Sequence, residues 1–182
     1  LMFNFAHFMR FLLPVISILL FTACGPSMNK VLKSKDPNYK LKIADDFYAK
    51  KKYIKAYAIY EDVLPFYKTA TNYQDVFYKY AYSAYLQKDY LNAENLFKTF
   101  LESFPKSLRY EEIEYMRAYA YYKQAPKAEL DPTNNYRAIG LMQSFINAHP
   151  TSVRTPDAQK IINELRTRLE KKDAQAAKLY FD

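Results

Sequence analysis

The chain holds only two glycines in 182 residues. Tight hairpin turns need residues at positive φ, which glycine adopts at least cost. This scarcity excludes a hairpin-rich sandwich or barrel and points to an all-helical protein. Tryptophan is absent, and there are two histidines and one cysteine. His7 falls in an apolar N-terminal stretch, which leaves His149 for any folded domain. No Cys/His cluster with zinc-ligand spacing exists, and no glycine-rich loop could cradle phosphate. The carboxylate pairs Asp45-Asp46 and Glu111-Glu112 are adjacent in sequence, so they point to different parts of a helix surface. They read as solvated helix charges, and His149, just before Pro150, as a capping or surface residue. With no nucleophile, acid–base pair or metal set, the expectation is a protein that binds rather than catalyses, with no metal.

Half of the residues are hydrophobic and a quarter charged, a globular composition in a chain long enough for one domain with a real core. Tyrosine is abundant, at 19. The net charge is +8, but acids are interspersed almost everywhere and Lys50 to Lys52 is the longest basic run. That dispersal argues against nucleic acid and for acidic peptides or anionic lipid headgroups.

Residues 1 to 23 read as a targeting segment. Arg10 supplies the positive charge, and Phe11 to Phe21 is apolar except for Pro14 and Ser17. That is signal-peptide length, about half of the ~20 residues a spanning helix needs. Phe21-Thr22-Ala23-Cys24 resembles the lipobox of bacterial lipoproteins, with phenylalanine where leucine is commonest. The resemblance implies that Cys24 is acylated and becomes the mature N-terminus; the alternative is an ordinary secretory signal or an N-terminal membrane anchor with an incidental cysteine. Two or three acyl chains would give stable anchoring. Residues 24 to 36 would then form a polar, lipidated tether. This covalent lipid is the only attached group expected.

The remainder is internally repetitive. "YIKAYAIYEDV" (Tyr53 to Val63) aligns with "YLNAENLFKTF" (Tyr90 to Phe100), 37 residues on, counted from 53 to 90. Tyr60 maps to Phe97, Ala56 to Ala93 and Val63 to Phe100. "NYRAIGLMQSF" (Asn135 to Phe145) is a third copy, 45 residues further from 93 to 138, with Ala138, Met142 and Phe145 in the same places. The surplus is the turn-rich "QAPKAELDPTNN". Each copy follows another helix-like stretch, in which Ala81 matches Ala118 and Tyr85 matches Tyr122. The alanines allow close approach, the aromatics fill the groove between helices, and Pro105 and Pro150 end the second helix. Such pairs cannot bury their apolar faces alone, so they must stack. This resembles the tetratricopeptide repeat, with alanine where the first helix usually has glycine, and with Glu114 and Arg117 at positions normally apolar. The predicted domain spans residues 37 to 182 as about three and a half units: 37–69, 70–106, 107–150 and a partial 151–182. In the last, Thr155-Pro156 reads as N-cap and first helical residue, and Ala158, Ile162, Leu165, Leu169, Ala176 and Tyr180 trace one face. The apolar end "KLYFD" suggests a chain cut short or an end docked elsewhere.

The first helices of stacked pairs line a concave surface. Tyr48, Tyr78, Tyr82, Tyr85, Tyr115, Tyr119 and Tyr122 fall on or near it. Tyrosine offers contact area at low entropic cost plus a polar tip, so these seven are the expected peptide-binding groove; the bland alternative is that they fill gaps between repeats.

A lipobox, a short tether and tetratricopeptide units together resemble the BamD family of outer-membrane β-barrel assembly lipoproteins. "CGPSMNKVLKSKDPNYKLKIADDFYAKKKYIKAYAIYEDVL", "YLNAENLFKTFLESFPKS" and "DAQKIINELRTRLEKKDAQAAKLYF" carry the likeness, and the tyrosine- and lysine-rich style resembles a Bacteroidota member. The resemblance implies a non-catalytic adaptor that binds unfolded outer-membrane proteins and, through its C-terminal repeats, the POTRA domains of a BamA-type barrel subunit. Family members usually have about five repeats, so much of the BamA-contacting part would be missing here. "GPSMNK" after Cys24 carries no acidic cluster, which implies the periplasmic face of the outer membrane. The alternatives are another lipid-anchored envelope scaffold, for cell division or nutrient uptake. A sugar-uptake lipoprotein of the SusD type would be longer and rich in tryptophan.

Overall fold

The computed structural model describes residues 27–124 and 132–181, with side chains to residue 178. The targeting segment, Cys24 and most of the insertion between residues 124 and 135 lie outside the described residues. Among the described residues eight α-helices run in order: α1 (Met28–Leu32), α2 (Pro37–Ala49), α3 (Tyr53–Val63), α4 (Tyr73–Leu86), α5 (Tyr90–Ser103), α6 (Tyr110–Gln124), α7 (Thr133–Ala148) and α8 (Thr155–Phe181). A 3₁₀ turn, Leu64–Tyr67, extends α3. No strand occurs among the described residues.

Local chemistry explains the breaks. Asp36 caps α2 by accepting from the amides of Asn38 and Tyr39, with Pro37 as the first helical residue. Asp89 caps α5 by accepting from the Asn92 amide. Helices α5 and α7 stop one residue before Phe104-Pro105 and His149-Pro150, as proline requires. The two short turns inside hairpins, α2–α3 and α4–α5, each place a lysine at positive φ: Lys51 at 57° and Lys88 at 69°. Glycine would be the usual residue at both.

Each helix packs chiefly on its predecessor and its successor, giving a tetratricopeptide-like solenoid of helical hairpins. The repeat-matched positions are the core. Ala56, Tyr60, Val63, Ala93, Phe97, Phe100, Ala138, Met142 and Phe145 are all fully buried. Glu114 and Arg117, unexpected in an apolar register, are explained by polar partners. Glu114 meets the His149 ring at 2.7 Å, and Arg117 donates to Glu94 at 2.8 Å. Polar contacts therefore replace apolar ones where α6 packs on α5 and α7.

Helix α8 departs from expectation in two places. Thr155 opens the helix, but its hydroxyl donates back to the His149 carbonyl at 2.7 Å instead of capping. Ala158, Ile161, Ile162, Leu165 and Leu169 are buried, whereas Ala176 is exposed. The buried face thus ends at Leu169, because no described helix lies beyond it to cover the next turns. Tyr180 lies outside the described side chains.

Candidate peptide-binding face

Tyr78, Tyr82 and Tyr85 sit at i, i+4 and i+7 on α4, hence on one face. Tyr115, Tyr119 and Tyr122 repeat that spacing on α6, and Tyr48 on α2 matches Tyr85 at the repeat spacing. The structure brings most of the seven into one aromatic row. Ring centroids are 4.5 Å apart for Tyr78–Tyr82, 6.3 Å for Tyr82–Tyr85, 6.3 Å for Tyr85–Tyr119 and 5.4 Å for Tyr119–Tyr122. Tyr115 stacks on Tyr119 at 5.8 Å. Tyr48 packs instead against Tyr53 and Tyr60 within its own hairpin. Six of the seven are half-buried, and Tyr115 is buried.

Carboxylates of the following hairpin hold four of the hydroxyls. Glu112 on α6 accepts from Tyr78 at 2.9 Å and also from Tyr82. Asp157 on α8 accepts from Tyr115, and Glu164 from Tyr122 at 3.0 Å. Asp45 on α2 takes both the Tyr60 hydroxyl and the Lys79 ammonium of α4, each at 2.7 Å. Cations cover ring faces along the same row. The Arg109 guanidinium lies 4.2 Å from the Tyr78 ring centre and bonds Asp75 at 2.6 Å; Arg154 lies 5.6 Å from Tyr115 and Lys123 5.8 Å from Tyr119. Among the described residues, the hydroxyls of Tyr48, Tyr85 and Tyr119 make no hydrogen bond.

The acidic anchors carry a readable signal. Asp75, Glu112 and Asp157 each stand third in α4, α6 and α8, where the helix dipole favours a negative charge. Their spacings from 75 to 112 and 112 to 157 are those of the repeat itself. The reading of Glu111-Glu112 and Asp45-Asp46 as solvated charges therefore fails for three of the four. Glu111 accepts from Ser152 at 2.5 Å, and Asp45 and Glu112 bridge helices as described; only Asp46 pairs within its own helix, with Lys50.

Burial pushes the Tyr48 and Tyr85 hydroxyls up to about 12. Burial and then the Glu112 hydrogen bond raise Tyr82 further, and burial and then Asp157 do the same for Tyr115. All stay neutral at physiological pH. No described group of His, Cys, Asp and Glu side chains is placed to hold a metal ion. None of the described helices is long and apolar enough to cross a membrane.

A stack of helical hairpins with a ring-lined face defines the class: a tetratricopeptide-like repeat protein. Within that class the chain belongs to the YfiO family of outer membrane lipoproteins, whose family model matches residues 34–182. That match spans every hairpin of the solenoid, and this family is of the BamD type. A search of curated proteins gives no significant match.

Proposed function

We propose that the protein is a non-catalytic, lipid-anchored adaptor in outer-membrane β-barrel assembly. The observation that carries this reading is the family match across the whole helical domain. On it, Cys24 bears the lipid, the domain faces the periplasm, and the partners are unfolded barrel proteins and a BamA-type subunit bound through its POTRA domains. The row from Tyr78 to Tyr122 supplies the peptide-binding surface, with Tyr48 at its first-hairpin end. Hydroxyls at Tyr85 and Tyr119, flanked by aromatic faces, suit a segment ending in an aromatic residue and a free carboxylate.

Affinity purification of the full chain from its membrane tests the role. Recovery of a large β-barrel bearing POTRA domains is the expected result; recovery of division proteins alone refutes it. The surface has its own test. Tyr85→Ala with Tyr119→Ala, shown folded by circular dichroism, should weaken binding to an aromatic-ended barrel peptide about tenfold, on the scale of aromatic hot spots. Unchanged affinity refutes the site. Mass spectrometry of the mature N-terminus checks the acylation of Cys24.

A further inference from the structure

Helix α1 is short, yet it is seated on the domain. Val31 is fully buried, and Met28 and Leu32 pack against the first core cluster, that of Phe47, Ile59 and Tyr60. Its contacts run to α2 and α3. The polar side of α1 is left open. Lys30 and Lys33, three apart and so neighbours on the helix surface, line a depression of about 630 Å³ together with Ser27, Asn29, Ser34 and Tyr39. Lys35 follows in the turn to α2. All three lysines are exposed, and none makes an ion pair among the described residues. The side chains of Ser27 and Tyr39 make no hydrogen bond there either.

The carboxylates around α1 are committed elsewhere. Residues 1 to 26 contain no Asp or Glu. Asp36, the nearest in sequence, caps α2. Further along α2, Asp45 holds Tyr60 and Lys79, and Asp46 pairs with Lys50. On α3, Glu61 accepts from Tyr80 at 3.2 Å, and Asp62 takes the largely buried ammonium of Lys40 at 2.5 Å. None of these acids lines the depression. The stretch from Ser27 to Asp36 therefore sets Lys30, Lys33 and Lys35 against one carboxylate.

We infer that the α1 depression takes an anionic phospholipid headgroup from the bilayer that holds the chain's own lipid. The inference rests on the acylation of Cys24 proposed above. Ser27 stands three residues after Cys24, and an extended chain covers at most ~3.6 Å per residue. The start of α1 is thus within about 11 Å of the acylated residue, close to one Debye length of ~10 Å. A lipid phosphodiester brings negative charge for Lys30 and Lys33 and acceptor oxygens for the Ser27 and Tyr39 hydroxyls. Free phosphate would meet the same donors, but the chain itself carries the headgroup layer to this site. Because α1 packs on the first hairpin, the contact would fix how that hairpin meets the membrane.

The test uses the mature chain anchored by its own lipid in nanodiscs. In phosphatidylglycerol discs, the amides from Asn29 to Lys35 should be shielded from an aqueous paramagnetic relaxant and broadened by a lipid carrying a metal chelate on its headgroup. In phosphatidylcholine discs they should stay open to the aqueous relaxant, although the chain co-elutes with both. Lys30→Gln with Lys33→Gln should lower the ratio of shielded to open states about fivefold per lysine, with co-elution unchanged. Equal shielding in the two lipids overturns the inference, as does shielding that survives both lysine changes. Shielding that free inorganic phosphate abolishes at constant ionic strength, or that appears only with an added envelope protein, also overturns it. A chain that co-elutes with neither disc overturns the anchoring reading and this inference with it; the other failures strike the inference alone.

Discussion

Glu112 is the residue on which two hairpins hang. It accepts the hydroxyls of both Tyr78 and Tyr82, so its loss leaves two half-buried donors without a partner. Glu112→Leu should therefore destabilise the fold by about 2–3 kcal/mol, since each orphaned polar group costs about 1–3 kcal/mol less any recovered hydration. Combining it with Tyr78→Phe and Tyr82→Phe should return much of that loss, because an apolar set of similar shape leaves nothing unsatisfied. Urea denaturation of the unaltered chain and these two variants checks both statements. The same tyrosines set an alkaline limit. Burial raises Tyr48 and Tyr85 from 10 to about 12 in the folded chain. Between those values the folded state keeps protons that the unfolded chain has released, so stability is full below pH 10 and falls as pH rises towards 12. Absorbance of tyrosinate should lag behind that of a urea-unfolded sample over this range; coincident titration curves would contradict the burial.

At the scale of the element, the scarcity of glycine has a local cost. Lys51 and Lys88 hold positive φ where the chain turns from the first helix of a hairpin to the second. Left-handed backbone costs a side-chain-bearing residue about 1–2 kcal/mol, partly offset by the greater freedom of unfolded glycine. Lys88→Gly should thus raise the melting temperature, by an amount worth about 0.5–1 kcal/mol, whereas Lys88→Val should lower it. The Arg117–Glu94 pair shows the converse. Glu94 is almost wholly buried, so Arg117→Leu leaves an uncompensated charge and should cost about 3 kcal/mol. The double change Arg117→Leu with Glu94→Leu should cost far less. Both elements also show where sequence reasoning reached and where it stopped. Ala93, Phe97 and Phe100 were legible because a repeat writes its core as a recurring pattern. Glu114 and Arg117 were not, since their partners, His149 and Glu94, lie on other helices at separations the pattern does not encode. The tyrosine face was visible as an i, i+4, i+7 stripe. The repeat spacing marks Glu112 and Asp157, but that they and Glu164 occupy four of its hydroxyls was hidden, because a carboxylate's direction depends on the crossing of helices from successive hairpins.

At the scale of the whole molecule, the buried side chains among the described residues fall into three clusters in chain order. One centres on Phe47, Ile59 and Tyr60, one on Phe77, Phe97 and Phe100, and one on Met142, Phe145 and Leu165. Partly buried residues join them at the seams: Tyr57, Leu64 and Tyr73 touch the first two, and Met116 touches the last two. A structure in which each hairpin meets only its neighbours has stability that sums over units and interfaces, so damage should spread by one hairpin and then fade. Phe97→Ala removes a fully buried ring from the middle cluster, a change that typically costs about 3–5 kcal/mol. Native-state hydrogen exchange should then show amides of α4, α5 and α6 opening more readily. Those of α2 and α3 should stay closer to their original protection, because the ring lies one cluster away. A uniform loss of protection from α2 to α8 would instead mean that the chain unfolds as one cooperative unit. In that case a ligand bound on the tyrosine row would stiffen every hairpin together.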